Sequence, residues 1–361
     1  MTGGYGLCDH VIHVVGSICD IGPQHNLLRR YEICSSSRIR TLESCYYELI
    51  KIVREHPNIK NVAVPIIGSG EYQYPFEMAA KIAFSSVGNA LLEWQQDDGE
   101  YFNDPSEGLQ NIIFFIWKRE ERDLEKAEEI LAQYKEIFAA GERVVWQNSL
   151  KAQMQYLMEI IRYDKMRGYF CIARVTRISL AVIRLLSLYT YLKDWGGGHS
   201  WQKRRLWVEL TVIMKLAAAV AFIMIVRDTG RSGNEALLLP VLCVLLYNMA
   251  DTTTYLISLL LMADIQKPSA NIIRSLLLLL LNYMEVSLDT TALYLLHYRD
   301  RGVTFLKALE PGLTGGALSG IEMAVASDYL LHYGNMALKF FFVTMAFGYL
   351  SGHMRQRQFR S

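Results

Sequence analysis

The sequence predicts an α/β three-layer domain followed by an all-α transmembrane bundle. Three observations carry the prediction. Short β-branched runs alternate with helical patterns in the first part of the chain. Charge is dense up to about Tyr163, whereas apolar stretches long enough for a bilayer begin at Leu206. The 361 residues are 52% hydrophobic with a mean hydropathy of +0.14, more apolar than an ordinary soluble enzyme.

The elements follow in order. Val11-Ile12-His13-Val14-Val15, ended by Gly16, reads as a buried strand. Tyr46, Leu49, Ile50 and Val53 recur at helical spacing and predict a helix over residues 44–56. Val62 to Ile67 is a second buried strand, broken by Gly68-Ser69-Gly70. Met78, Ala79, Ile82, Ala83 and Val87 share one face of a helix over residues 75–94. Residues 111–117 supply a third strand, and a charged helix over 120–139 closes the domain, which is placed at residues 1–145. Such alternation implies a mainly parallel sheet with helices on both faces, and ligands bind where loops leave the carboxyl ends of its strands.

Residues 147–165 lack Gly-, Pro- and Ser-rich runs and predict a connecting helix rather than a flexible linker. Over residues 169–192, Arg174, Arg177 and Arg184 fall within about 80° of one another on a helix. That basic stripe predicts an amphipathic helix at the cytoplasmic surface, because three arginines at bilayer depth are costly. Lys203-Arg204-Arg205 precedes a first span over residues 206–226. Further spans are predicted over 236–262, 272–297 and, more briefly, 336–350, giving a transmembrane domain at 206–361 after a connecting region at 146–205. Four crossings put both ends on the side marked by Lys203, Arg204, Arg205, Arg355 and Arg357, the cytoplasm.

Within the spans, Asn248, Asp251, Thr252 and Tyr255 recur on one face of the second, and Asn282, Glu285 and Asp289 on the third. Two readings stay open: a polar seam lining a conduit or an oligomer axis, or groups that bond between helices and hold the bundle together. The loop 313–335 lacks the Thr-Val-Gly-Tyr-Gly run of a potassium filter, so channel activity rests on analogy with two-helix pore modules.

A net charge of +1 argues against nucleic acid as a partner. The six cysteines show neither CxxC pairs nor metal-ligand spacing, so free thiols are expected, with no metal and no cofactor. The opening Met-Thr-Gly-Gly-Tyr-Gly has no signal-peptide character, which leaves membrane insertion to the later helices. No catalytic residue is assigned. His10 and His13 read as packed strand histidines, Asp97-Asp98 and Glu100 as a solvated loop, and no Ser/His/Asp or Cys/His constellation emerges from spacing.

Gly3-Gly4-Tyr5-Gly6-Leu7 ahead of the first strand, and Val62-Ala63-Val64-Pro65-Ile66-Ile67-Gly68-Ser69-Gly70-Glu71-Tyr72-Gln73-Tyr74-Pro75, resemble the second half of a macro domain, the ADP-ribose-binding module. Order, spacing and the Tyr-x-Tyr-Pro exit all match, over about residues 3–138. Gly68 and Gly70 let backbone N–H groups converge on an anion, and the helix after Pro75 adds its positive end. The resemblance implies that Gly68, Ser69, Gly70, Glu71 and Tyr72 cradle a diphosphate, that Tyr72 packs on the distal ribose, and that Gly16 and Ser17 line the same cleft. A tight strand-to-helix turn without a ligand is the other reading of the Gly-x-Gly.

The family's opening strands, with their acid, asparagine and second glycine-rich loop, have no counterpart before Met1, so the macro-like domain is expected to be N-terminally incomplete. Glu71 replaces a usually apolar residue and sets a negative charge beside the diphosphate unless it points away. The whole chain resembles bacterial macro-domain membrane effectors, including those of Thoeris-type antiphage defence. That resemblance implies a multi-pass homo-oligomer of the cell membrane. Its cytoplasmic domain senses an ADP-ribose-like nucleotide and drives a channel-like or membrane-disrupting bundle. The alternatives are a membrane-tethered ADP-ribosyl hydrolase and a degenerate macro scaffold.

Overall fold

The computed structural model describes residues 2–4, 8–19, 34–97, 108–116, 121–232, 238–262 and 272–358. They form two units, Met1–Gly168 with Thr190–Leu206, and Tyr169–Tyr189 with Trp207–Ser361. Tyr5, Gly6 and Leu7 of the glycine-rich start, Asp98, Glu100, Trp117, Glu120 and the first residues of the expected second span lie outside the described residues.

In the first unit, β1 (Thr2–Gly4) pairs antiparallel with β2 (Cys8–Val11), and β3 (Asn61–Pro65) pairs parallel with β4 (Asn111–Phe115). Among its described helices are α1 (Ser36–Arg54), α2 (Phe76–Asp97), α3 (Glu121–Ala139) and α4 (Ser149–Arg167). The expected strand 11–15 is corrected. Pairing ends at Val11, and residues 12–19 continue without a ladder to the loop that follows β3.

Side chains at three- and four-residue spacing on α1 (Ile39, Leu42, Tyr46, Leu49, Ile50, Val53) are buried against Val62 and Val64 of β3 and against Met78, Ala79, Ile82 and Ala83 of α2. Each large side chain so buried contributes on the order of 1.5–3 kcal/mol. The parallel sheet is less enclosed than the apolar runs predict. Val62 and Val64 point inward while Asn61, Ala63 and Pro65 are exposed, and Ile113 and Phe115 on β4 are 53% and 59% exposed. Among the described residues, helices cover one face, so the three-layer arrangement is only partly visible. A pattern of alternate burial is what a half-covered strand requires.

Asn148 caps α4 by accepting the Lys151 N–H at 2.9 Å, and Gly168 ends it in a left-handed turn. Asp194 binds the same helix start, accepting from the Ser149 N–H at 2.6 Å and the Ser149 hydroxyl at 2.7 Å.

The expected amphipathic helix 169–192 is two helices, α5 (Cys171–Leu185) and α6 (Leu188–Gly197). Beyond them come α7 (Trp201–Ser232), α8 (Leu238–Leu261), α9 (Ile272–His297), α10 (Phe305–Thr314) and α11 (Ala326–Gln358). Among the described residues, three stretches are long and apolar enough to cross a membrane: Trp201–Arg227, Leu238–Leu261 and Arg274–His297. The fourth expected stretch, 336–350, lies inside α11, which is not one of the three. Lys339 interrupts its apolar pattern.

The arginines of α5 also depart from expectation. Arg177 is buried, donates to the Leu261 carbonyl at 2.8 Å and lies over the Tyr169 ring, while Arg184 reaches Ser258 Oγ at 3.3 Å. Carbonyls at the end of α8 have no partner within their own helix and carry the negative end of its dipole, which attracts guanidinium groups. The opposite face keeps Ile172 and Val175 exposed.

Candidate functional site

The turn after β3 is built by bonds that close it on itself. Ile66 continues the sheet by donating to the Phe115 carbonyl at 3.2 Å, and the Ile67 N–H donates to the buried Tyr46 hydroxyl at 2.8 Å. Burial holds the Tyr46 phenol above its usual ionisation range, with the Ile67 N–H opposing that shift. Both the Ser69 N–H and its hydroxyl turn back to the Ile66 carbonyl, at 3.3 and 2.8 Å. Tyr74 N–H then reaches Gly68 O at 3.0 Å, and Gln73 N–H reaches Gly70 O at 3.1 Å. Two residues take left-handed conformations to allow this, Gly68 at φ 97° and Gln73 at φ 59°.

Gly68 has a second constraint. A Cβ there would stand 2.8 Å from the Tyr74 ring. Tyr74 is buried, and its hydroxyl bonds Ser17 Oγ at 2.8 Å, while the Ser17 hydroxyl donates to the Arg38 carbonyl at 2.9 Å. Gly16 lies against Ile67 and the Tyr72 ring, where an added Cβ would meet them at 3.0 and 3.2 Å. Cys19 N–H donates to the Tyr72 carbonyl at 2.8 Å. Gly16 and Ser17 are thus brought to the Gly68–Tyr72 turn.

The turn offers donors outward. Among the described residues, the N–H groups of Gly70, Glu71 and Tyr72 make no hydrogen bond. Gly70 and Glu71 are exposed, Tyr72 is half-buried, and the space a Gly70 Cβ would fill is open. Adjacent N–H groups left without partners on a turn suit anionic oxygens.

Two expectations are corrected here. Cys19 and Cys34 are joined in a disulfide with their Cα atoms 5.8 Å apart, where free thiols were expected, because folding brings together cysteines whose spacing carries no motif. His10, on β2, and His13, beyond its end, are exposed rather than packed. No group of three or more His, Cys, Asp or Glu side chains gathers to hold a metal among the described residues.

Residues 1–83 match the family model of the macro domain. A macro domain-containing protein of Chlorobaculum tepidum is 29% identical over 133 residues, covering 37% of this chain and 62% of that protein. ADP-ribose glycohydrolase MACROD2 of Homo sapiens is 38% identical over 95 residues, covering 26% of this chain and 19% of its own. The N-terminal segment carries a macro domain. ADP-ribose glycohydrolase MACROD1 of Rattus norvegicus is similar over a stretch of the same length, at 34% identity and 31% of its own chain. The chain therefore spans under two thirds of each of these relatives. No solved structure matches the chain.

The macro domain's turn accounts for one set of predicted residues, and the polar seam for the other. Asp251 pairs with Lys215 of α7 at 2.6 Å and accepts from the Ser187 hydroxyl. Lys215 also donates to Thr252 Oγ1 at 3.0 Å, and Thr252 donates to the buried Glu285 carboxylate at 2.9 Å. Asn248 accepts from the Tyr189 hydroxyl at 2.6 Å, and Lys339 of α11 donates to Ser287 Oγ at 2.7 Å. Asn282 is buried but joins none of these bonds, and Asp289 is buried with both oxygens unbonded among the described residues. Lys215 and Lys339 escaped the sequence reading, although a lysine inside an otherwise apolar helix is itself a signal that a carboxylate faces it.

Proposed function

We propose that the chain is a membrane-anchored receptor whose macro domain binds an ADP-ribose-type nucleotide at the Gly68–Tyr72 turn. One observation carries the reading: the unpaired N–H groups of Gly70, Glu71 and Tyr72 lie beside Gly16 and the Tyr72 ring. A diphosphate supplies the acceptors these donors lack, and the half-buried tyrosine ring supplies a face for a ribose. The three apolar stretches hold the chain in a bilayer. A ligand-driven effector role in the membrane, with homo-oligomers and the antiphage setting of the effectors it resembles, is the finer part of the proposal.

The test is calorimetric titration of ADP-ribose into the detergent-purified full chain, with Gly70→Trp as the variant. Gly70 has no positive φ and opens to free space, so the substitution leaves the fold intact and fills the cleft. Losing two charge-assisted N–H bonds costs about 3 kcal/mol, or roughly a 100-fold weaker Kd. Equal binding by both proteins sinks the receptor reading.

A second reading is favoured by the similarity to proteins named ADP-ribose glycohydrolases. Release of free ADP-ribose from an ADP-ribosylated peptide by the same purified chain decides for it.

A further inference from the structure

One buried cluster in the second unit carries a charge imbalance. Lys215 and Lys339 supply two positive charges, and Asp251, Glu285 and Asp289 three negative ones, on four helices whose side chains meet. Asp251 has Lys215 at 2.6 Å, and Glu285 has the Thr252 hydroxyl at 2.9 Å. Asp289 is 0% exposed, yet neither of its oxygens has a hydrogen-bond partner among the described residues. An ionised carboxylate left in that state in a low-dielectric interior is strongly disfavoured.

The helix register shows what stands opposite. Thr252 on α8 bonds Glu285 on α9, and Leu245 packs in one cluster with Ala292. Seven residues back along α8 thus match seven forward along α9, so the two run antiparallel. Asn248, four residues before Thr252, is level with Asp289, four residues after Glu285. Asn248 is also 0% exposed, and its Nδ2 has no partner among the described residues, while its other amide atom meets Tyr189. Two buried polar groups therefore stand at one level without bonding one another. Glu285 lies one turn away on the Asp289 side, and the charges of Lys215 and Lys339 approach from α7 and α11.

We propose that Asp289, with Asn248 and Glu285 beside it, forms a binding site for one monovalent cation, a proton or an alkali ion, inside the membrane unit. The charge count sets the valence, since one added positive charge balances three carboxylates against two ammonium groups. Among the described residues no group of three His, Cys, Asp or Glu side chains gathers as a divalent ion's cage requires. An Asn248 amide turned to present its oxygen would complete the coordination of an alkali ion, and a single carboxylate oxygen suffices for a proton.

The test follows the thermal midpoint of the full chain in lipid nanodiscs. Li⁺, Na⁺ or K⁺ chloride is compared with N-methylglucamine chloride at fixed ionic strength, from pH 5.5 to 8.5. Ligand linkage makes the midpoint rise with the logarithm of a bound cation's concentration. Saturable stabilisation by one alkali ion identifies that ion. Stabilisation by acid alone, in N-methylglucamine, identifies the proton. In either case Asp289→Asn abolishes the response and, at pH 8 without alkali ions, melts at or above the wild type. Should that variant fail to assemble, Glu285→Gln is expected to move the half-saturating cation concentration or pH by at least threefold. A wild type indifferent to both alkali ions and acid, or an Asp289→Asn protein that keeps the response, overturns the proposal.

Discussion

Replacing Gly68 by alanine isolates what the turn demands of its backbone. A non-glycine residue at φ 97° sits in a sparsely populated region and costs about 1–3 kcal/mol. The new Cβ also meets the Tyr74 ring at 2.8 Å, and Tyr74 is held by the Ser17 bond at 2.8 Å, so the ring moves only by straining that contact. Overpacking of this kind adds about 1 kcal/mol or more. The sum is about 2–4 kcal/mol, which lowers the melting point of a unit of this size by roughly 5–15 °C. Gly70→Ala is the control, because its added methyl enters open space without a positive φ. The assay is thermal unfolding of the full chain followed by circular dichroism, with the transition of the first unit assigned by its response to ADP-ribose. A Gly68→Ala protein melting within about 1 °C of wild type, or a Gly70→Ala protein as damaged as Gly68→Ala, refutes the account of the turn.

Two further predictions follow from groups around it. Burial raises the ionisation of Tyr46 and Tyr134 above the usual phenol value of 10.0, so both stay neutral when folded and ionise on unfolding. Their contribution is complete below pH 10 and is lost as pH rises past it; a Tyr46→Phe, Tyr134→Phe protein is expected to lose stability less steeply between pH 10 and 11.5, measured by urea unfolding, and an identical slope contradicts the assignment. Glu71 is exposed, so its repulsion of a bound diphosphate acts through water and amounts to about 0.5–1 kcal/mol. Glu71→Gln is expected to tighten ADP-ribose binding about two- to fivefold at low salt and to lose that advantage in ~0.5 M salt, where screening shortens the field to a few ångströms; weaker binding at low salt means that the carboxylate itself touches the ligand.

Local pattern made much of the first unit legible. The α1 face carrying Leu42, Tyr46 and Val53 is buried as its spacing requires, whereas β3 ends at Pro65, short of the expected Ile67. What escaped depends on contacts between distant residues. Tyr46 was read as one more apolar position, yet its hydroxyl meets Ile67, twenty-one residues away in the chain. The Cys19–Cys34 pair and the Ser17–Tyr74 bond are of the same kind. The strand expected at 11–15 failed for another reason: β-branched residues favour extension, but a ladder also needs a neighbour, and β2 finds β1 only as far as Val11.

In the second unit the period groups the polar residues on helix faces but leaves open whether they line a path or hold helices together. The register of α8 against α9 separates the two cases residue by residue. Asp251 and Thr252 have partners on α7 and α9 that account for their polarity, so bonding between helices explains them. Glu285 shares in that bonding while adding charge to its neighbour. Asp289 and Asn248 keep buried atoms that no described side chain satisfies. A helix bundle selected only for cohesion gains nothing from such atoms, and removing them would stabilise it. Among the described seam residues the unmet need falls on Asp289 and Asn248, at one level, and a function for the seam is to be sought there rather than along its whole length.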